Sequence, residues 1–237
     1  MSYRTEYRVR RSAVRTTAVA AFSTVVSGVA SVANSADTIT VPAGCEAVVT
    51  IEKQSCVATT VLDCGTHFEE RSFLNGELHE THIFNKEWAF SGYSLKDGLQ
   101  TVDISFDEGH SITLSNLVAN GTATTARSAQ IGTGRLKDLE YRLTSEATLT
   151  GETVELDGYP FQTGTLRRSF ERISGSNVLD FEFEILVSRD LNLFIEGAYS
   201  RQNKTSDPET LDQTPISLRF PNEPGFLALR LGEACNG

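Results

Sequence analysis

Apolar and polar residues alternate with a period of two along most of the chain after residue 36. Turn-forming residues separate these alternating segments at intervals of about ten residues. The same region has no long segment with the three-to-four-residue spacing of an amphipathic helix. This pattern predicts an antiparallel all-β domain of about ten to twelve strands.

The predicted strands follow one another with short connections, such as a two-residue turn at Gly151-Glu152, and no Pro/Ser-rich linker divides them. A flat open sheet with this many strands would expose long edges, which favours curling and closure. We therefore predict one domain over residues 37–237, a single antiparallel up-and-down sheet closing or partly closing into a barrel. A two-sheet β-sandwich is the alternative.

Asn75-Gly76 predicts a two-residue turn and therefore the register of a hairpin. In this register Glu69 lies directly opposite His82, and His67 lies diagonally on the same face. Two histidines and a carboxylate can bind a transition metal, so His67, Glu69 and His82 form a candidate metal site. The alternative is a solvated face with cross-strand ion pairs.

The strongest core signal is the alternation of Val178–Val187 and Leu191–Tyr199. A three-residue loop between them would keep their odd-numbered apolar residues on one face and set Ile185 opposite Leu193. The even-numbered carboxylates would then lie on the outer face, either solvated or around a calcium ion. These carboxylates are Asp180, Glu182, Glu184 and Glu196.

Arg168 falls on the apolar face of the neighbouring predicted strand, opposite Phe183. A charge on an inward face is costly unless it is paired, so Arg168 could bind an anionic head group inside a barrel. The candidate ligand-binding residues are therefore Arg168, Phe181, Phe183 and Leu193. The alternative is an arginine at the barrel rim whose head group reaches water.

Four cysteines lie after residue 36, at Cys45, Cys56, Cys64 and Cys235. Their even number suggests two disulfides, for which three pairings exist. A strand over Val57–Asp63 would hold Cys56 and Cys64 about 26 Å apart, too far for a bond. A hairpin turning at Lys53-Gln54 favours Cys45–Cys64 and leaves Cys56–Cys235.

Charge is unevenly distributed along the chain. Residues 1–36 contain five arginines and one glutamate, whereas residues 37–237 contain 16 basic and 30 acidic side chains. Such an acidic domain argues against nucleic acid or an anionic membrane surface as a partner. The basic start, the uncharged stretch Ala18–Val32 and the small residues up to Ala36 are typical of a cleavable export signal over residues 1–36. An N-terminal transmembrane anchor is the alternative.

No nucleophile elbow, phosphate-binding loop or dinucleotide-binding glycine motif occurs in the sequence. We therefore interpret the chain as an exported protein of the periplasm or cell exterior. Its expected role is non-enzymatic, either binding of a small apolar or amphipathic ligand or interaction within the cell envelope. The enzymatic alternative is a metal-assisted hydrolase or lyase using His67, Glu69 and His82. The sequence identifies no cofactor, no catalytic residue and no oligomeric state, and we expect no stable transmembrane anchor.

The export signal makes a prediction about processing. Small residues precede the proposed cleavage positions, so cleavage should follow Ala33 or Ala36. N-terminal sequencing of the exported protein should therefore begin at Asn34 or Asp37. A mature protein that retains Met1, or that carries a lipid on Cys45, would contradict the interpretation.

Overall fold

The computed structural model describes residues 38–96, 98–104, 112–133, 136–175, 178–203, 207–230 and 235. The predicted export signal and its predicted cleavage positions lie outside the described residues. The described residues form a single 13-stranded antiparallel sheet that curls into a half-barrel, with one short helix. The prediction of an all-β, partly closed barrel is confirmed, and the two-sheet alternative is not adopted.

Strand order in the sheet follows the chain from β1 to β12, and β13 lies beside β1. A short helix, α1 (Leu114–Asn120), stands between β6 and β7. The strands are β1 (Glu46–Lys53), β2 (Val57–Asp63), β3 (His67–Leu74), β4 (Glu77–Asn85), β5 (Phe90–Leu95), β6 (Gln100–Ile104), β7 (Thr122–Thr133), β8 (Leu136–Leu156), β9 (Tyr159–Arg172), β10 (Val178–Ser188), β11 (Leu193–Asn203), β12 (Glu209–Leu211) and β13 (Pro215–Arg219).

The C-terminal part of the chain brings the two edges of the sheet together. β12 pairs with β11, and β13, which follows after a short connection, pairs with β1. The backbone N–H of Gln54 donates to the carbonyl of Thr214 at 2.9 Å. The Lys53 ammonium in β1 donates to the carbonyl of Glu196 in β11 at 2.8 Å. Backbone groups that a flat sheet would leave unpaired at its edges are satisfied in this way.

Aromatic packing anchors the larger of two buried apolar clusters. Phe84 in β4 is fully buried, and its ring lies 5.4 Å from that of Trp88, 5.8 Å from that of Phe90 and 6.5 Å from that of Phe194. Because Phe194 belongs to β11, this cluster joins strands that are far apart in the sheet order. Burial of these rings therefore stabilises the curled form of the sheet.

The long strands β8 and β9 reverse at Asp157-Gly158, where φ is 50° and 80°. The turn predicted at Gly151-Glu152 is wrong, because a bulge between Leu149 and Thr153 carries β8 onward. Asp-Gly suits a two-residue turn in which both central residues have positive φ. The Asp157 carboxylate accepts a hydrogen bond of 2.5 Å from the backbone N–H of Leu218, which ties the hairpin to β13.

Both disulfides of the favoured pairing are present. Cys45–Cys64 links the two ends of the β1–β2 hairpin, and Cys56–Cys235 links the turn of that hairpin to the C-terminal segment.

In the part of the chain that the structure describes, no helix is long and apolar enough to cross a membrane.

The position of Phe84 makes a prediction about stability. Phe84→Ala should lower the free energy of unfolding by about 3–5 kcal/mol, because it removes buried apolar surface and leaves a cavity. Leu99, which is 59% exposed, provides the control. Leu99→Ala should stay within about 0.5 kcal/mol of the wild type. Urea unfolding measures both, and equal effects of the two changes would contradict the assigned core.

Candidate functional site

The curled sheet encloses a cavity of about 390 Å³. Small-molecule sites in proteins typically measure roughly 300–1,000 Å³. Part of the lining is apolar and aromatic and includes Phe170, Phe181 and Phe183. The remaining lining contains an unusual number of ionisable side chains for a protein interior, among them Lys53, Glu70, Glu80, His82, Arg168 and Glu196.

Arg168 of β9 and Glu196 of β11 form a buried ion pair in the cavity wall. The two terminal guanidinium nitrogens donate to the two carboxylate oxygens at 3.0 and 2.5 Å, and the side chains are only 6% and 4% exposed. The guanidinium carbon also lies 4.0 Å from the ring centroid of Phe90 and 5.2 Å from that of Phe183. Bidentate pairing and aromatic stacking together offset the cost of burying both charges.

His82 of β4 extends this pair into a network. Its Nδ1 atom lies 3.4 Å from Oε2 of Glu196, and its Nε2 atom lies 3.9 Å from Oε2 of Glu80. The Tyr93 hydroxyl donates to the same Glu80 oxygen at 3.4 Å. Burial alone would lower the pKa of His82, but Glu196, Glu80 and Glu70 together raise it. The surrounding carboxylates therefore favour the protonated imidazole.

The other groups of the network have settled charge states. Burial would raise the pKa of Glu196, but the charges of Arg168 and His82 outweigh it and hold that pKa at about 2. Burial and the negative charge of Glu80 raise the pKa of Tyr199 to about 12. The same two causes raise the pKa of Tyr93 above its usual value. Near neutral pH, Glu196 is therefore ionised and both tyrosines are neutral.

Glu70 of β3 differs from the rest of the network. It is only 3% exposed, and among the described residues its Oε1 atom has no hydrogen-bond partner. Burial raises the pKa of Glu70 to about 7. The positive charge of Lys53 lowers this pKa, whereas the negative charge of Glu196 raises it further. Buried polar atoms are nearly always hydrogen-bonded, so an unpaired oxygen in a cavity wall marks a place where a ligand can bind.

Two β-bulges bring the ionisable side chains to the cavity. In the β3–β4 hairpin, Ser72 pairs with Glu80 while Phe73 pairs with Leu78, so β4 contains one extra residue. In the β10–β11 hairpin, Phe183 pairs with Tyr199 while Ile185 pairs with Glu196, so β11 contains one extra residue. An extra residue reverses the faces of all side chains beyond it, which directs His82 and Glu196 inward.

The structure does not assemble the proposed metal site. His67 and Glu69 are adjacent, with 3.3 Å between Nε2 and Oε1, and Arg71 binds Glu69 at 2.8 Å. However, Glu69 lies opposite Ile83, whereas His82 lies opposite Glu70 and therefore on the other face. The predicted register was wrong because it contained no bulge. Cys64 is close to His67 and Glu69, but its sulfur is in a disulfide and offers no thiolate.

The proposed ligand-binding residues separate into two groups. Arg168, Phe181 and Phe183 line the cavity, although the charge of Arg168 is already paired with Glu196. Leu193 is 1% exposed within the core and lies opposite Ser188 instead of Ile185, because four residues connect β10 to β11. Leu193 does not line the cavity.

The outer carboxylate cluster is also smaller than the alternation predicts. Glu182 lies opposite Ser200 and is bound by Arg167 at 3.3 Å. A three-residue loop would also have set Glu196 opposite Glu182, and a calcium ion could have relieved the repulsion between these like charges. The bulge in β11 instead directs Glu196 into the cavity. The like-charge contact that would have favoured a calcium ion is therefore not formed.

No protein-family model, curated protein or solved structure matches this chain. The function is therefore inferred from the cavity and its side chains.

The raised pKa of Glu70 predicts a pH-dependent stability. A carboxyl group whose pKa rises from 4.5 unfolded to about 7 folded stabilises the protein below pH 4.5, and this stabilisation is lost as the pH rises to about 7. The loss should reach about 3 kcal/mol. Glu70→Gln cannot ionise, so its free energy of unfolding should exceed that of the wild type at about pH 8 and match it near pH 4.

Urea unfolding at the two pH values measures this difference. Glu69→Gln is the matched control, because Glu69 lies next in sequence but on the opposite face of the sheet. A Glu70→Gln protein that gains no stability over the wild type between the two pH values would show that folding does not raise the pKa of Glu70.

Proposed function

We propose that this protein binds a small amphipathic molecule in the cavity of its half-barrel. The observation that carries the proposal is a cavity of about 390 Å³ in which an aromatic wall meets a buried, unpaired carboxyl oxygen of Glu70. The aromatic wall would cover the apolar part of the ligand, and Glu70 would meet its polar group. Such a site fits a binding protein, in which the barrel supplies a rigid container.

Export to the periplasm or cell exterior is the second part of the proposal. Two disulfides support it, because disulfides form and persist in oxidising compartments. The sequence pattern of residues 1–36 supports it independently. A carrier or sensor of small molecules outside the cytoplasm is the role that combines these features.

The enclosed cavity supports ligand binding better than the outer surface does. A broader depression of about 830 Å³ crosses β7 to β11, but exposed polar side chains such as Thr124, Thr144 and Glu182 form much of it. Water already satisfies such groups, so a ligand gains little by covering them. The cavity instead offers apolar surface and an unsatisfied polar atom.

Binding can be tested with 1-aminoanthracene, a small amphipathic dye that fluoresces strongly in apolar surroundings. The wild-type protein should bind it with a saturable rise in fluorescence. Leu179→Trp should weaken the binding at least roughly tenfold, because Leu179 lines the cavity and indole would fill it. Val154→Trp is the control, since Val154 is 41% exposed and lies outside the cavity lining. Equal loss in both variants, or no saturable binding by the wild type, would refute the proposal.

A further inference from the structure

The polar end of the cavity, formed by Lys53, Glu70, Glu80 and His82, contains hydrogen-bond donors for which the described residues show no acceptor. The Lys53 ammonium has three N–H groups and uses one of them on the carbonyl of Glu196. The Nε2 atom of His82 stands 3.9 Å from Glu80, beyond hydrogen-bond distance. A protonated Glu70 adds a further donor. A ligand group with acceptor oxygens would satisfy these donors.

The charges at the polar end also favour an anion. Arg168 and Glu196 neutralise each other in their bidentate pair. When His82 is protonated, it and Lys53 carry two positive charges against the one negative charge of Glu80, and Tyr93 is neutral. With Glu70 protonated, the polar end therefore carries one positive charge in excess.

Charged side chains farther along the cavity lining do not reverse this balance. Lys96 and Arg201 are basic, His79 is titratable, and Glu209 is the acidic member of this group. The excess positive charge can be removed in two ways. Glu70 can ionise, or an anionic ligand can bind while Glu70 keeps its proton.

We propose that the cavity binds the carboxylate of an amphipathic organic acid, with Glu70 sharing its proton with that carboxylate and with Lys53 and His82 flanking it. The inference rests on the proposed function and specifies the ligand class. The aromatic wall formed by Phe170, Phe181 and Phe183 would contact the hydrocarbon part of the acid. No covalent bond forms or breaks, and only the position of one proton changes.

Two carboxyl groups in contact cannot both be ionised, because their like charges repel in a poorly solvated site. Binding of a carboxylate therefore requires the protonated form of Glu70. Burial favours this form, since it raises the pKa of Glu70 to about 7. The acid should bind well below that pH and should be released above it as Glu70 ionises.

The test compares decanoate with 1-decanol, which has the same chain length and no charge, as competitors of 1-aminoanthracene. The wild-type protein should bind decanoate roughly thirtyfold more tightly at about pH 6 than at about pH 8.5, as expected for a site that must hold one proton. The affinity for 1-decanol should change by less than about threefold over the same interval.

Two glutamine variants isolate the role of Glu70. Glu70→Gln keeps a neutral side chain with an N–H donor at every pH, so the pH dependence of decanoate binding should fall to less than about threefold. Glu69→Gln should behave as the wild type, because Glu69 faces away from the cavity. Thermal melts of both variants establish that each is folded at the two pH values.

The outcomes separate this inference from the proposed function. Binding of 1-decanol with no preference for decanoate at about pH 6 would leave the cavity as a ligand site and overturn the carboxylate inference. A full pH dependence in Glu70→Gln would assign the proton to another group, His82 foremost, and overturn the role of Glu70. Failure of all three probes to bind the wild type would reject the proposed function itself.

Discussion

The buried pair of Arg168 and Glu196 is the interaction on which the interior of this protein depends. A buried charge is tolerated only where its partner is held close, and loss of one partner leaves the other uncompensated. Arg168 comes from β9, Glu196 from β11 and the attached His82 from β4. β4 and β11 are far apart in the order of the sheet. The network can therefore form only when the sheet is curled, and it stabilises that curvature in return.

Alternation along the chain was sufficient to predict much of this architecture. It located the all-β domain, and it placed Arg168, Phe181 and Phe183 on a common inward face. The predicted partner of Arg168 was Phe183, whereas the structure pairs it with Phe181. This two-residue error in register leaves every face unchanged, because side chains alternate with a period of two. The cysteine pairing was predictable from the length of an extended strand together with the position of the turn that follows β1.

The candidate site was harder to predict, because it is built by single extra residues. One extra residue in β4 places His82 beside Glu70, and one in β11 directs Glu196 inward. Alternation does not mark such insertions in advance. A cross-strand aromatic pair offered one signal, since Phe68 lies opposite Phe84 and this pairing requires an extra residue after the Asn-Gly turn. The unpaired oxygen of Glu70 had no signal in the sequence.

Turn chemistry gave a second usable signal. Asp157-Gly158 suits a tight turn with two positive φ values better than Gly151-Glu152 does, and the chain does reverse there. Weighing the dipeptides against each other would have lengthened β8 correctly. The bulge that carries β8 past Gly151 has no such marker in the alternation of residues and is visible only in three dimensions.

The pairing of β1 with β13 has a consequence for the order in which the protein can be completed. β1 is the first and β13 the last strand of the described sheet, so one edge of the N-terminal hairpin has no partner until β13 has been made. The two disulfides differ in the same way, because Cys45 and Cys64 are 19 residues apart whereas Cys56 and Cys235 are 179 residues apart. The first bond can close on a nascent fragment, but the second requires that the chain has been made as far as Cys235. Formation of the Cys56–Cys235 disulfide, in which both thiols are oxidised, therefore records that all thirteen strands of the described sheet have been synthesised.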